Sequence, residues 1–238
     1  MSQKLHNFNA GPSILPKEIF KKTSNAVINL NESGLSILEI SHRSNEFKDI
    51  LNEARELVLN IAQLDSNEYS SLFLQGGAST QFLMVAYNFL NNKAGYINTG
   101  SWSSKAMKEA ELFGNVIEIA SSKDKNFNYI PKDYNLQDNL DYIHLTTNNT
   151  IYGTQFKYIP DLNQSLIGDM SSDIFSRDID YSVFDLFYAG AQKNLGPAGT
   201  TLVVIKKEIL ERIKREVPSM LNYKVHLDKD SSFNTPPV

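Results

Sequence analysis

The sequence predicts an α/β fold, a mostly parallel sheet covered by helices on both faces. Three observations carry this. Short apolar runs that suit buried strands alternate with stretches of three- and four-residue hydrophobic spacing that suit helices. Small or polar clusters follow directly on those runs, at the strand ends where open α/β sheets bind ligands. The 238 residues, 41% hydrophobic and 11% aromatic, suffice for a sizeable core.

Pro16 suits a first helical turn and starts a helix from about Lys17 to Leu30. A second, from about Asn45 to Leu64, is amphipathic: Phe47, Ile50, Leu51, Ala54, Leu57, Val58 and Ile61 share one stripe. Ser71 to Leu74 reads as a buried strand, followed by Gly76-Gly77 and an apolar helix from about Ser79 to Phe89. Gly95 to Asn98 is a short strand and Ser101 to Phe113 the next helix. Val116 to Ile119, Tyr142 to Leu145, Ser165 to Gly168 and Val183 to Phe187 are further strands. Thr200 to Ile205 is the last, before a helix over Lys206 to Lys214.

Composition narrows the function classes. The net charge of -4 and the lack of a long basic run argue against a nucleic-acid partner. No cysteine is present, so disulfides, thiolate metal sites and a cysteine nucleophile are excluded, which fits a reducing compartment. No apolar stretch approaches the roughly 18 residues of a membrane span, and the first residues lack the apolar core of a signal peptide. The four histidines have no metal-ligand spacing, and His6 and His144 read as structural.

One lysine stands out. From Leu186 to Val204 the only charged side chain is Lys193, set among Ala, Gly, Leu and Pro. Loss of hydration lowers a lysine pKa and frees the amine that a Schiff base needs; a surface turn before an apolar strand explains the same residues. Gly76-Gly77-Ala78-Ser79-Thr80 opens a helix, as a phosphate site does; alternatively Ser79 is simply its N-cap. Asp169 ends a buried strand, where it suits a cationic ring nitrogen or a loop cap. Trp102, the only tryptophan, stands among small polar residues as a stacking platform or a helix-start aromatic. Arg43, beside His42, suits carboxylate or phosphate capture or a solvated loop.

A lysine for a Schiff base, an acid for a pyridine nitrogen, an aromatic to stack on a ring and a helix start for a phosphate are the four handles of pyridoxal phosphate. With these in place, Phe8 to Pro12, Ser41 to Ser44, Gln75 to Ser79, Gly100 to Trp102, Asn149 to Gly153, Asp169 to Ser172 and Tyr188 to Gly199 resemble, in order, the signature segments of the phosphoserine aminotransferase family. The resemblance implies a fold-type-I pyridoxal-phosphate enzyme and a cytoplasmic homodimer with active sites at its interface. The implied reaction is reversible amino transfer from L-glutamate to 3-phosphohydroxypyruvate, in serine and pyridoxine biosynthesis. It implies Lys193 as the Schiff-base lysine and proton shuttle, Asp169 on the ring nitrogen, and Trp102 on the ring. Ala78, Ser79 and Gln192 are implied at the cofactor phosphate, Thr150 near the ring oxygen, and His42 and Arg43 at the substrate's acidic groups. Asn234 and Thr235 are implied to reach the neighbouring subunit's cofactor phosphate.

The family implies residues 1–15 as a segment associated with the active site and small domain, residues 16–238 as the cofactor-binding large domain, and a C-terminal small domain that this chain does not carry. On that expectation the chain alone is weakly active or inactive, and exposes apolar surface. Ser79 stands where some relatives carry arginine, which puts substrate contacts there in question. The rival expectations are an impaired cofactor-binding fragment and another fold-type-I aminotransferase, such as a serine–glyoxylate type. A Rossmann-like nucleotide binder is disfavoured because G-x-G-x-x-G is missing.

Overall fold

The computed structural model describes residues 6–234. Nine strands are β1 (Tyr69–Leu74), β2 (Lys93–Asn98), β3 (Asn115–Ser121), β4 (Ile143–Thr146), β5 (Asn148–Asn149), β6 (Thr154–Gln155), β7 (Leu166–Asp169), β8 (Leu186–Gly190) and β9 (Thr201–Lys206). Six helices are α1 (Lys17–Ile28), α2 (Asn45–Ala62), α3 (Gly77–Phe89), α4 (Ser101–Ala110), α5 (Ala191–Asn194) and α6 (Tyr223–Asp228). Seven strands form one sheet in the order β1-β9-β8-β7-β4-β2-β3, and β5 and β6 form a small separate hairpin. The pairs from β8 to β3 are parallel, while β9 runs antiparallel to both β8 and β1. The predicted α/β architecture is therefore present, with one reversed strand.

Both sheet faces are dry, which explains why β9 reads as an unbroken apolar run. Val203 and Ile205 join Ile167, Tyr96 and Leu72 in a core beneath α3 and α4. Leu202 and Val204 face the other way, with Ile143, Phe184 and Phe187. The β1 edge is closed by side chains rather than left open to another strand: Arg55 Nε donates to Ser71 O at 3.0 Å, and Phe73 N donates to Ser231 Oγ at 3.0 Å. Among the described residues no helix is long and apolar enough to cross a membrane.

Three expectations shift. The strand placed at Val183 starts three residues later, because Tyr181–Val183 forms a 3-10 turn. The Asp180 side chain holds that turn by accepting from Ser182 N at 2.9 Å. The helix expected over Lys206 to Lys214 is instead 3-10 backbone over Lys207–Arg212. The adjacent side chains Ile209 and Leu210 are both buried there, and Arg215 ties the exit to Leu90 O and Phe113 O. The amphipathic stripe of α2 is only partly covered: Leu51 and Val58 are buried with Leu59 and Ala62, while Ile50, Leu57 and Ile61 are exposed. The stripe is wider than the contact with the sheet edge. Next to it, α1 has no buried residue, and Phe20, Val27 and Ile28 are exposed.

Candidate active site

The carboxyl ends of β1, β4, β7 and β8 and the start of the reversed strand β9 meet at one edge of the sheet. On the face beneath α3 and α4, register puts Thr146, Asp169 and Tyr188 side by side on β4, β7 and β8. Thr201, paired with Gly190 and Leu74, extends this row on the same face by strand alternation. The glycine turn, Trp102 and Lys193 close around it.

Asp169 is buried, and its Oδ1 accepts from Ser171 N at 3.0 Å and Ser171 Oγ at 2.7 Å. Its Oδ2 takes no hydrogen bond from the described residues. Burial raises its pKa above the ordinary value; the two Ser171 bonds and the charge of Lys193 act in the opposite direction. The hydroxyls of Thr146 and Thr201 are likewise buried with no bond among the described residues. A buried carboxylate with one free oxygen, in a row with two idle hydroxyls, is a polar floor arranged for something polar.

Lys193 projects from the short helix α5 and is half-buried. Its Nζ donates to Thr150 Oγ1 at 3.4 Å and lies 4.8 Å from the centroid of the Trp102 ring. Desolvation lowers its pKa from the ordinary 10.5, with the Asp169 charge opposing. The free-amine form is thus closer to neutral pH than for a solvated lysine. The other cation on Trp102 is Lys105, at 4.6 Å from the centroid.

The N-terminal segment straps this lysine in place. Ser13 N donates to Gln192 O at 3.0 Å, and Ser13 Oγ donates to Lys193 O. A β-carbon added at Gly11 would lie 2.9 Å from Lys193 Cγ, so only glycine permits this approach.

The glycine turn feeds α3 with backbone amides unblocked. Gly76 and Gly77 have φ of 93° and 69°, and Gly76 caps the helix without a side chain. Ser79 lies inside α3 and is not its N-cap; glycine torsions begin the helix two residues earlier than the sequence suggests. A β-carbon at Gly190 would press on the end of the Gln192 side chain, 3.1 Å from its Oε1, while Ala78 N, at 3.6 Å, is at ordinary contact distance. At Gly76 a β-carbon would come within 2.3 Å of Thr80 Oγ1. Gly76→Ala adds left-handed strain of about 1–2 kcal/mol. It is expected to weaken binding of a phosphate monoester about tenfold, as measured by calorimetry. An unchanged affinity in the folded variant would remove the turn from the phosphate site.

Thus Ala78, Trp102, Thr150, Asp169, Gln192 and Lys193 converge. Ser79 is exposed on the first turn of α3. His42 and Arg43 lie in the loop before α2, and no hydrogen bond or ion pair engages their side chains among the described residues. Asn234 is exposed and lines a cavity of about 280 Å³ with Gly76 and Thr80; Thr235 lies outside the described residues. His144 is buried as expected of a structural histidine, with Nε2 at 2.8 Å from Tyr188 Oη and its pKa lowered by burial to about 3. Sequence reasoning placed Thr146 among the polar residues at the strand ends without giving it a role, and it assigned no site role to Ser171, Tyr188 and Thr201; these four share a site only through strand register and a turn. Of these only Ser171 left a trace: Asp-x-Ser suits an Asx-turn.

The family model described as "Aminotransferase class-V" matches residues 5–238. A phosphoserine aminotransferase from Flavobacterium johnsoniae is 56% identical over 237 residues, covering 99% of this chain and 67% of the relative. The solved phosphoserine aminotransferase from Bacillus circulans subsp. alkalophilus superposes with a TM-score of 0.93 at 46% identity, covering 97% of this chain and 65% of that one. A PLP-bound phosphoserine aminotransferase from Trichomonas vaginalis gives 0.91 at 33% identity, covering 98% and 67%. The chain spans about two thirds of the length of these relatives.

Proposed function

This chain belongs to the class-V aminotransferase family, and on that footing we propose that it is a phosphoserine aminotransferase. It would move an amino group reversibly from L-glutamate to 3-phosphohydroxypyruvate, giving O-phospho-L-serine and 2-oxoglutarate, for serine and pyridoxine biosynthesis. The cofactor is pyridoxal 5'-phosphate. The observation that carries this reading is buried Asp169, one oxygen unbonded among the described residues, within electrostatic reach of Lys193, whose Nζ lies 4.8 Å from the Trp102 ring.

The residues present fit that cofactor. A carboxylate with one open oxygen suits a protonated ring nitrogen, the glycine turn and α3 suit a phosphate, and Trp102 suits a flat ring. When bound, the cofactor supplies an aldehyde carbon for the amine and an electron-withdrawing ring. Lys193, as free amine, would hold that carbon, the aldehyde oxygen leaving as water, and once released its Nζ would carry the proton to and from the substrate's α-carbon. Asp169 Oδ2 holds the proton on the ring nitrogen. Thr150 orients the ring oxygen. Ala78, Ser79 and Gln192 hold the phosphate, His42 and Arg43 meet the acidic groups of the substrate, and Asn234 with Thr235 serves the neighbouring subunit's cofactor. Residues 1–15 act as the segment that associates with the active site, and residues 16–238 as the cofactor-binding domain.

The proposal includes a cytoplasmic homodimer. Support comes from the exposed apolar side chains of α1 and α2, which a second copy would cover.

The assay is release of 2-oxoglutarate from glutamate with 3-phosphohydroxypyruvate or glyoxylate as acceptor. The proposal expects the phosphorylated acceptor to be preferred over glyoxylate at whatever rate this chain attains; the reverse preference would replace it by a serine–glyoxylate type of activity. Trp102 gives a second check. Its fluorescence is expected to fall as the cofactor binds, and Trp102→Ala to weaken binding by about 0.5–1.5 kcal/mol, roughly two- to tenfold. Unchanged emission at saturating cofactor would remove it from the ring seat.

A further inference from the structure

Asp169 and the strand end that leads to Lys193 are joined by one hydroxyl. Ser171 is 6% exposed, and both its donors go to Asp169 Oδ1. Its Oγ also accepts the Gly190 amide at 3.1 Å. Gly190 is the last residue of β8 and leads straight into α5, which carries Lys193. A hydrogen-bonded line therefore runs from the strand end under the lysine, through Ser171, to the acid. It uses up one carboxylate oxygen and leaves the other without a hydrogen bond among the described residues.

We infer that Ser171 is a positioning residue for the cofactor's ring nitrogen: by occupying Oδ1 it fixes the Asp169 carboxylate with Oδ2 as the sole open acceptor, and through Gly190 it sets that acceptor relative to Lys193. The inference rests on the cofactor reading above. A carboxylate bound at one oxygen by two donors cannot rotate without breaking both bonds, so the ring nitrogen meets a fixed partner. The same bonds favour the ionised carboxylate in a setting where burial disfavours it. The other groups facing Asp169 do not substitute for them. Asp173 repels the charge, while Lys193 attracts it. Tyr188 on β8 stays neutral because burial pushes its pKa well up, and His144 on β4 stays neutral because burial pushes its pKa down to about 3. Thr146 brings only its idle hydroxyl.

The test is the titration of Asp169 in the cofactor-free chain, followed by carbon NMR of labelled aspartate, together with pyridoxal phosphate affinity. Ser171→Ala is expected to raise the Asp169 pKa by about one, a tenfold gain in proton affinity, and to weaken cofactor binding about tenfold. Ser171→Thr, which keeps the hydroxyl, is expected to restore both. An Asp169 titration that Ser171→Ala leaves unmoved would overturn the inference, as would failure of folded Ser171→Thr to restore it. If Ser171→Ala does not fold, Ser171→Cys, close in volume but a weak donor, is read by the same two criteria. The titration needs no cofactor, so a wild-type chain that binds none would count against the cofactor reading while the alanine shift still reports on the hydrogen-bonded line.

Discussion

Replacing Lys193 by alanine is expected to lower amino transfer by about 10⁴- to 10⁶-fold, the range seen when an enzyme loses its covalent nucleophile. Neighbouring groups offer no substitute. Thr150 is a neutral hydroxyl, and the other amine near Trp102 among the described residues, on Lys105, is exposed to solvent. The pH dependence follows from the lowered Lys193 pKa. Its reaction with the cofactor aldehyde is expected to rise with pH and level off through an apparent pKa below the ordinary 10.5. The sign for stability is the same. Between the depressed native pKa and the unfolded value, the unfolded chain binds more protons, so the penalty for burying this ammonium fades as pH rises through that window. Loss of Lys193 removes the penalty, so Lys193→Ala is expected to unfold no more easily than the parent at neutral pH. A variant that kept turnover would refute the assignment, whereas one that merely failed to fold would show as an altered melting curve.

Asp169→Asn separates function from folding more sharply. The asparagine Oδ1 still accepts from Ser171, and burial of a neutral amide is easier than burial of a carboxylate. The cofactor-free variant is therefore expected to melt within a few degrees of the parent or above it. Catalysis is expected to fall, because the positive ring nitrogen loses its buried counter-charge. Breaking such a pair costs about 3–5 kcal/mol, or about two to four powers of ten in rate. Steady-state rates and thermal melts on the same preparations check both signs. Full activity with the asparagine would mean that Asp169 serves only as a turn cap.

The parts of this fold that the sequence discloses are those decided by local pattern. Leu72-Phe73-Leu74 and Leu202 to Ile205 are too apolar for anything but a strand covered on both sides. Lys193 is conspicuous because its neighbours lack charge. What stays hidden depends on register or on distant segments. Asp169, Thr146 and Tyr188 become neighbours only when β4, β7 and β8 align. Gly11 and Ser13 meet Lys193 from the far end of the chain. Val183 is as apolar as the strand it precedes, yet the Asp180 turn holds it outside, and it is exposed. Ser79 looks like an N-cap, but two positive-φ glycines start the helix before it. The face of α2 that carries Leu57 and Ile61 shows the reverse case, a clear pattern whose partner is not within the described residues.

The most direct test of the central claim is to incubate the chain with pyridoxal phosphate, reduce with borohydride, and map the modified peptide by mass spectrometry. The expected result is one pyridoxyl phosphate group per chain, on the peptide containing Lys193. Modification at Lys105 instead, at scattered surface lysines, or nowhere would contradict it.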